Sequence, residues 1–150
     1  MGATTKTLYD TDFAVWSSHT AELLRAGRLG EVDLENVAEE IEDLGKSERS
    51  AVASLLFQII FHQAKRKIQP ARYGASWRRS IVTSQYNIEL KLRDSPSLVR
   101  FLEADLQSAY ARAVRGARRE TGVQDVALPT RCPFTLAQWL EEFDLDWPPA

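Results

Sequence analysis

The residues best suited to binding chemistry lie in a stretch of fifteen that contains six cations and no acid. The candidates for holding a nucleic acid or another anion are Lys65, Arg66, Arg72, Trp77, Arg78 and Arg79. Arginine beside an aromatic ring can bind phosphate through its N–H groups and stack on a base. The alternative is that these cations pair with the acids between Glu31 and Asp43, within the fold or across a dimer. The formal net charge of -2 fits such pairing and argues against an obligate polyanion binder.

A second group of candidate ligands is acidic. Glu35, Glu39 and Glu42 are spaced by three and four residues, so their carboxylates share one side of a helix. Together with His62 they would form a carboxylate-rich metal site, which suits magnesium or manganese better than zinc. The Glu-x-x-His pair of dimetal helical bundles is absent from the sequence. The alternative is a solvated first half of a helix, where the helix dipole favours acids, with His62 as a hydrogen-bonded residue in or near the core.

No sequence motif indicates catalysis. The phosphate-binding patterns GxxxxGK[ST] and GxGxxG are both missing, and no serine lies in a nucleophile motif. Cys132 is the single cysteine, so the chain has no intramolecular disulfide, which fits a reducing cytoplasm. We therefore expect no catalytic residue and no cofactor, and the balance favours a protein that is not an enzyme.

One long helix, predicted from Asp33 to Lys67, carries most of these candidates. Its apolar residues recur at steps of three and four, at Leu34, Val37, Ile41 and Leu44 and then from Ala51 to Ile60. Asp33 is placed to cap the start, and Pro70 prevents much further continuation.

Gly45 leaves two possibilities open for this helix. The helix either breaks there and restarts with Ser47 as a new cap, or runs through with a bend, at a cost of about 1 kcal/mol for glycine. We favour the continuous helix, because the apolar pattern keeps its phase from Leu44 to Ala51.

Shorter helices are predicted around the long one. They span about Asp12 to Ala26, Ser76 to Arg93, Pro96 to Glu120 and Leu136 to Glu142, with caps expected at Ser76, Ser95 and Thr135. Residues 1–10 are predicted to be a loose leader and residues 144–150 a C-terminal tail. No alternation of period two indicates a strand. The sequence thus predicts an all-α protein, a single domain with a bundle of four to five helices around one long central helix.

Five segments resemble the DUF29 family of small bacterial proteins, in the order in which they occur. They are YDTDFAVW at Tyr9 to Trp16, DLENVAEEIEDLGKSER at Asp33 to Arg49, SWRRSI at Ser76 to Ile81, DSPSL at Asp94 to Leu98 and CPFTLAQWL at Cys132 to Leu140. The resemblance covers nearly the whole chain and implies a helical fold and a bacterial, cytoplasmic origin. It implies no activity, cofactor or catalytic residue, since the family is one of unknown function.

These observations favour a non-enzymatic helical protein-interaction module, with a protein partner or a second copy of the chain bound through a helix face. The alternatives are a nucleic-acid-associated protein that uses the basic stretch, and a carboxylate-based metal enzyme. We expect no membrane association, because the apolar run from Ala51 to Phe61 is far shorter than the ~20 residues that span a bilayer. The first residues lack the apolar run of a signal peptide, which also fits the cytoplasm.

Overall fold

The computed structural model of the chain describes residues 5–150. Its α-helices are α1 Thr5–Thr11, α2 Phe13–Arg25, α3 Leu34–Ile68, α4 Ala75–Asp94, α5 Leu98–Thr121 and α6 Leu136–Glu141. Single 3-10 turns at Leu29–Glu31 and Pro70–Arg72 precede α3 and α4. No strand occurs within the described range. The all-α prediction with one long helix is confirmed.

The long helix is continuous. α3 has 35 residues and passes through Gly45 without interruption. At a rise of 1.5 Å per residue it is about 50 Å long. The Asn36 backbone N–H donates to Asp33 Oδ1 at 3.3 Å, so Asp33 caps the start as predicted. The possibility of a break at Gly45 is excluded.

The described chain forms two compact units, one ending at Ser47 and the other comprising Glu48–Ala150. The first unit contains α1, α2 and the beginning of α3, and the second contains the remainder of α3 with α4, α5 and α6. Each unit is described by itself below. The prediction of a single domain stays a prediction.

The core of the second unit is built on the second half of α3. Val52, Leu56 and Ile59 have no exposed surface, as expected for a helix segment that is apolar on several sides. Ile88 of α4 and Trp139 of α6 belong to the same buried cluster and are equally inaccessible. The apolar run of α3 is therefore core.

Small residues allow α5 to approach α3 closely. Ala109, Ala113 and Ala117 are fully buried along one side of α5. A Cβ atom placed on Gly116 would lie 3.5 Å from the ring of Phe61, at van der Waals contact. The second half of α5 thus packs against α3 through alanine and glycine. The many small residues in this half indicate such close packing.

The C-terminal segment packs against the core of the second unit. Leu145 is only 9% exposed, and the ring of Trp147 lies 5.8 Å from that of Trp139 and 5.3 Å from that of Phe134, both edge-on. Gln63 Nε2 of α3 donates to the Phe143 carbonyl oxygen at 2.8 Å. The segment has no regular secondary structure, but its aromatic and aliphatic side chains complete the core.

The N-terminal leader is also partly ordered. Residues 5–11 form α1, whereas a loose leader is predicted over residues 1–10; residues 1–4 lie outside the described range. Within α1, the Thr11 hydroxyl donates to the Thr7 carbonyl at 2.8 Å. Tyr9 contributes contacts to α2 and α3 that are described below. Such tertiary contacts stabilise a helix too short to form by itself.

Helix ends follow the sequence signals in some places and not in others. Thr135 forms a complete capping box with Gln138, and Gly122 ends α5 with a φ of 72°, both as predicted. α4 instead begins after Gly74, so the Ser76 hydroxyl does not cap it. α5 begins at Leu98, two residues beyond the expected Pro96.

Replacing Gly45 by alanine is expected to raise the free energy of unfolding by up to about 1 kcal/mol, because alanine is favoured in a helix interior. Apart from the adjacent residues and the backbone of the helix itself, no atom lies within 4 Å of the added Cβ. Gly27 provides the matched control, since its added Cβ also meets nothing but its φ is 69°. At Gly27, replacement by alanine should lower the free energy of unfolding by about 1–2 kcal/mol. Urea unfolding measures the change in the free energy of unfolding for both variants. Equal changes would contradict the continuous helix at Gly45.

Candidate interaction surface

Exposed apolar side chains are concentrated in the first unit. Among the described residues, seven of the nine large apolar side chains left exposed belong to it: Phe13, Val15, Leu24, Leu29, Leu34, Ile41 and Leu44. Single exposed apolar residues are ordinary on a protein surface, whereas a contiguous group marks a contact site. We name Leu34, Ile41 and Leu44, which follow one another along α3, the apolar stripe.

The apolar stripe does not face the interior of its unit. Leu34, Ile41 and Leu44 are 58%, 64% and 68% exposed. The half-buried side of the same helix is formed by Asp33, Asn36, Val37 and Glu40. At 100° per residue, Leu34 and Ile41 lie beside this half-buried side, whereas Leu44 lies on the same side as Val37, two turns further along the helix. An apolar stripe normally marks the buried face of a helix, so its exposure here indicates a surface without its partner.

The half-buried side of α3 is held by a polar contact. The Tyr9 hydroxyl of α1 donates to Glu40 Oε1 at 2.7 Å, and this hydrogen bond raises the pKa of Tyr9 to about 12. The Tyr9 ring also packs edge-on against Trp16 of α2, with the ring centres 4.9 Å apart. One of the acids of α3 is therefore used to orient the helix, with the apolar stripe directed to solvent.

The middle of α3 has no cover. Every residue from Ile41 to Ser50 is exposed, which is nearly three turns of helix. The Lys46 ammonium and Asp43 Oδ1 form an ion pair at 3.0 Å, but both side chains remain more than half exposed. Such surface pairs contribute little stability. The exposed turns overlap the apolar stripe along α3 and continue beyond it.

The charges on this part of α3 are unevenly distributed. Six acids and no base occur from Asp33 to Asp43, and Lys46 and Arg49 follow. Glu48 lies between these two cations, and its carboxylate is paired with the Lys91 ammonium of α4 at 3.2 Å. The first turns of α3 are therefore strongly negative, and the cations come after them in the sequence.

The first two residues of the basic stretch are paired within the second unit. Lys65 is 4% exposed, and its ammonium lies 2.6 Å from Glu120 Oε1 and 4.2 Å from the centre of the Trp77 ring. Arg66 Nη2 lies 2.6 Å from Asp144 Oδ1, and its Nη1 donates to the Phe143 carbonyl at 3.0 Å. Burial of a charge requires such pairing.

The partners of these cations differ from the expected ones. Lys65 and Arg66 pair with Glu120 and Asp144 rather than with the acids between Glu31 and Asp43. The remaining candidates, Arg72, Arg78 and Arg79, are exposed and take part in no ion pair among the described residues. Arg78 lies over the Phe143 ring, 5.2 Å from its centre. Only part of the basic stretch is thus available to an external anion.

The candidate metal ligands are divided between the two units. Glu35, Glu39 and Glu42 are exposed in the first unit, and His62 is half-buried in the second, with its ring 5.1 Å from that of Phe61. Within the described range, no three His, Cys, Asp or Glu side chains form a group that could hold a metal ion. The carboxylate metal enzyme stays a prediction.

Comparison with known proteins identifies the family of the chain. The family model for DUF29, a domain of unknown function, matches residues 8–144. The chain belongs to the DUF29 family. The DUF29 match includes Tyr9, Glu40, the apolar stripe and the basic stretch. No curated protein and no solved structure matches the chain. Of the helices described in this DUF29 protein, none is long and apolar enough to cross a membrane.

Sequence reasoning found the apolar residues of the surface but not their exposure. The pattern that marks Leu34, Ile41 and Leu44 is the ordinary signal of a buried helix face. One feature that points the other way is the density of acids around them, since buried carboxylates are rare without partners. His62 differs from the expectation of a hydrogen-bonded residue, because its Nδ1 is buried without a hydrogen-bond partner in the described structure.

The free energy of unfolding is expected to fall as the pH drops below about 6.5, the unperturbed value for histidine. Burial lowers the pKa of His62, and the nearby Lys65 ammonium lowers it further. As the pH falls, His62 is therefore protonated in the unfolded chain before it is protonated in the folded chain. Its contribution to the free energy of unfolding is complete above the unfolded pKa and is lost as the pH falls toward the folded pKa. Urea unfolding between pH 7.5 and pH 5.5 should show a smaller decrease for His62→Gln than for the unchanged protein.

The control for this pH prediction is His19→Gln, at the other histidine, which is exposed on α2. This variant should keep the full pH dependence. An equal decrease for His62→Gln and the unchanged protein would show that His62 does not carry the effect.

Proposed function

We propose that this protein is a non-enzymatic helical interaction module that self-associates through the apolar stripe of α3. The observation that carries the proposal is the exposure of Leu34, Ile41 and Leu44, at 58–68%, on a helix whose following turns are uncovered. Water contact at such side chains is unfavourable, and covering them with a second apolar helix face removes that cost. Helix-in-groove and helix–helix contacts use this spacing of anchors.

The expected strength of the association follows from the area available. Burying a leucine or isoleucine side chain contributes roughly 1.5–3 kcal/mol. Because each stripe residue is about two-thirds exposed, two copies of the stripe would gain roughly 6–12 kcal/mol in total. Loss of translational and rotational freedom costs about 4–15 kcal/mol. The stripe alone therefore supports a reversible complex rather than a permanent one.

The double variant Ile41→Asp with Leu44→Asp should abolish self-association. Light scattering of the unchanged protein is expected to show a mass that rises toward two chains as the concentration increases, because the dimer forms by mass action. The variant should keep the mass of one chain, since a carboxylate in an apolar contact is not tolerated. Circular dichroism is the check that the variant remains helical.

The control variant carries the same change at Val82 and Tyr86 of α4, which are 49% and 60% exposed in the second unit. It should associate like the unchanged protein. A one-chain mass for the unchanged protein at every concentration would contradict the proposal, and so would normal association of the Ile41 and Leu44 variant.

We also propose a second candidate, binding of single-stranded nucleic acid by the exposed arginines of the basic stretch. Its support is the exposure of Arg72, Arg78 and Arg79, which have no ion-pair partner among the described residues. Arginines without internal partners can contact phosphate.

Fluorescence anisotropy with a labelled single-stranded oligonucleotide tests this second candidate. The affinity should fall steeply with added salt, and Arg78→Gln with Arg79→Gln should weaken it by about tenfold or more. The control removes two exposed arginines elsewhere, at Arg100 and Arg131. An affinity that ignores salt, or an equal loss in both double variants, would rule out a specific role for the basic stretch.

A further inference from the structure

We infer that the second unit contains a binding site for a small organic cation with an apolar body, such as an alkylammonium ion. The site is a cavity of about 510 Å³ between the second half of α4, the beginning of α5 and α6. Small-molecule sites have volumes of roughly 300–1,000 Å³. The cavity belongs wholly to the second unit, so this inference goes beyond the proposed self-association and does not depend on it.

The larger part of the cavity lining is apolar. It includes Leu92 of α4, Val99 of α5, and Leu136 and Leu140 of α6. Leu136 is 6% exposed and belongs to the buried core. The other three are half-buried and pack against that core. The core thus holds these side chains in place, and together they offer a ligand the apolar surface that most small-molecule sites provide.

Hydrogen bonds hold α6, which forms one side of the cavity. Gln85 Nε2 of α4 donates to the carbonyl oxygens of Trp139 and Glu142, both at 3.0 Å. The capping box of Thr135 and Gln138 fixes the beginning of the helix. A helix as short as α6 depends on such contacts. Because they fix the lining before a ligand arrives, less ordering is needed on binding.

The charged part of the lining is entirely acidic. Each of the three helices supplies one exposed glutamate, Glu89 from α4, Glu103 from α5 and Glu141 from α6. Glu89 Oε1 is paired with Arg93 Nη2 at 3.2 Å. Glu103 and Glu141 take part in no ion pair among the described residues. The cavity therefore offers two unpaired carboxylates to a positive charge.

Two features of this lining define the chemistry of the ligand. Carboxylates beside a cavity attract a cation and disfavour an anion, and the apolar side chains favour an apolar body that removes them from water. Within the described range, no three acids form a group that could hold a metal ion, which favours an organic cation. The ligand class is therefore an ammonium group that carries an alkyl or aryl chain.

Titration with octylammonium below its micelle-forming concentration, followed by protein NMR, tests the site. Binding should shift the backbone amide signals around Leu92, Val99 and Leu140. Ethylammonium has the same charge but a shorter chain, and it should bind about tenfold or more weakly, because each buried CH₂ group adds to the affinity. Octanoate has a similar chain with a negative charge and should be weaker by about tenfold or more.

A double variant tests the role of the carboxylates. Glu103→Gln with Glu141→Gln should weaken octylammonium binding about three- to tenfold, a modest effect because both side chains are exposed to water. The control, Asp125→Asn with Asp146→Asn, removes the same charge from two exposed acids of the second unit that have no described ion-pair partner. It should bind octylammonium like the unchanged protein. An equal loss in both double variants would overturn the site.

A larger side chain at Ala137 tests the cavity itself. Ala137 is exposed and belongs to the lining, so the ring of Ala137→Phe should exclude the ligand and weaken binding by about tenfold or more. Ala111→Phe makes the same change at an exposed position of α5 outside the lining and should leave binding unchanged. Absence of octylammonium binding, amide shifts spread over the whole surface, equal affinity for octanoate, or unchanged binding by Ala137→Phe would each overturn the inference.

Discussion

The second half of α3 imposes the main physical constraint on the second unit. From Val52 to Ile60 its side chains are apolar on several sides of the helix, and they are stable only where water is excluded. One neighbouring helix cannot cover them. α4, α5 and α6 each supply part of the cover, and the irregular segment around Leu145 and Trp147 supplies the remainder.

This constraint also determines which polar groups remain available. Lys65 and Gln63 follow the apolar run and are carried into the interior with it, so each needs a partner there. Glu120 pairs with Lys65 at 2.6 Å, and the Phe143 carbonyl accepts from Gln63 at 2.8 Å. Part of the basic stretch thereby becomes structural. The exposed arginines at the start of α4 are the part that can meet an external anion.

The first half of the same helix has a different environment. Its apolar residues continue the pattern of the core, yet Leu34, Ile41 and Leu44 are exposed, and the hydrogen bond from Tyr9 goes to Glu40 instead. The same helix thus has apolar residues that are buried in a core in its second half and apolar residues that are exposed in its first half. The concentration of acids keeps this exposed stretch soluble, and the proposed second copy would cover its apolar residues.

The sequence by itself determined the class of the fold and much of the helix pattern. Capping by Asp33 and Thr135, the glycine at the end of α5 and the continuity of α3 follow from signals within a few residues of each other, which act in any tertiary setting. Only the tertiary structure decided which side of α3 is buried, which acids pair with Lys65 and Arg66, and that the C-terminal segment is packed. Those outcomes depend on residues far apart in the chain, such as Gln63 and Phe143, which are 80 positions apart. Helical periodicity places an apolar side chain on a face, but the presence of a neighbour decides whether that face is covered.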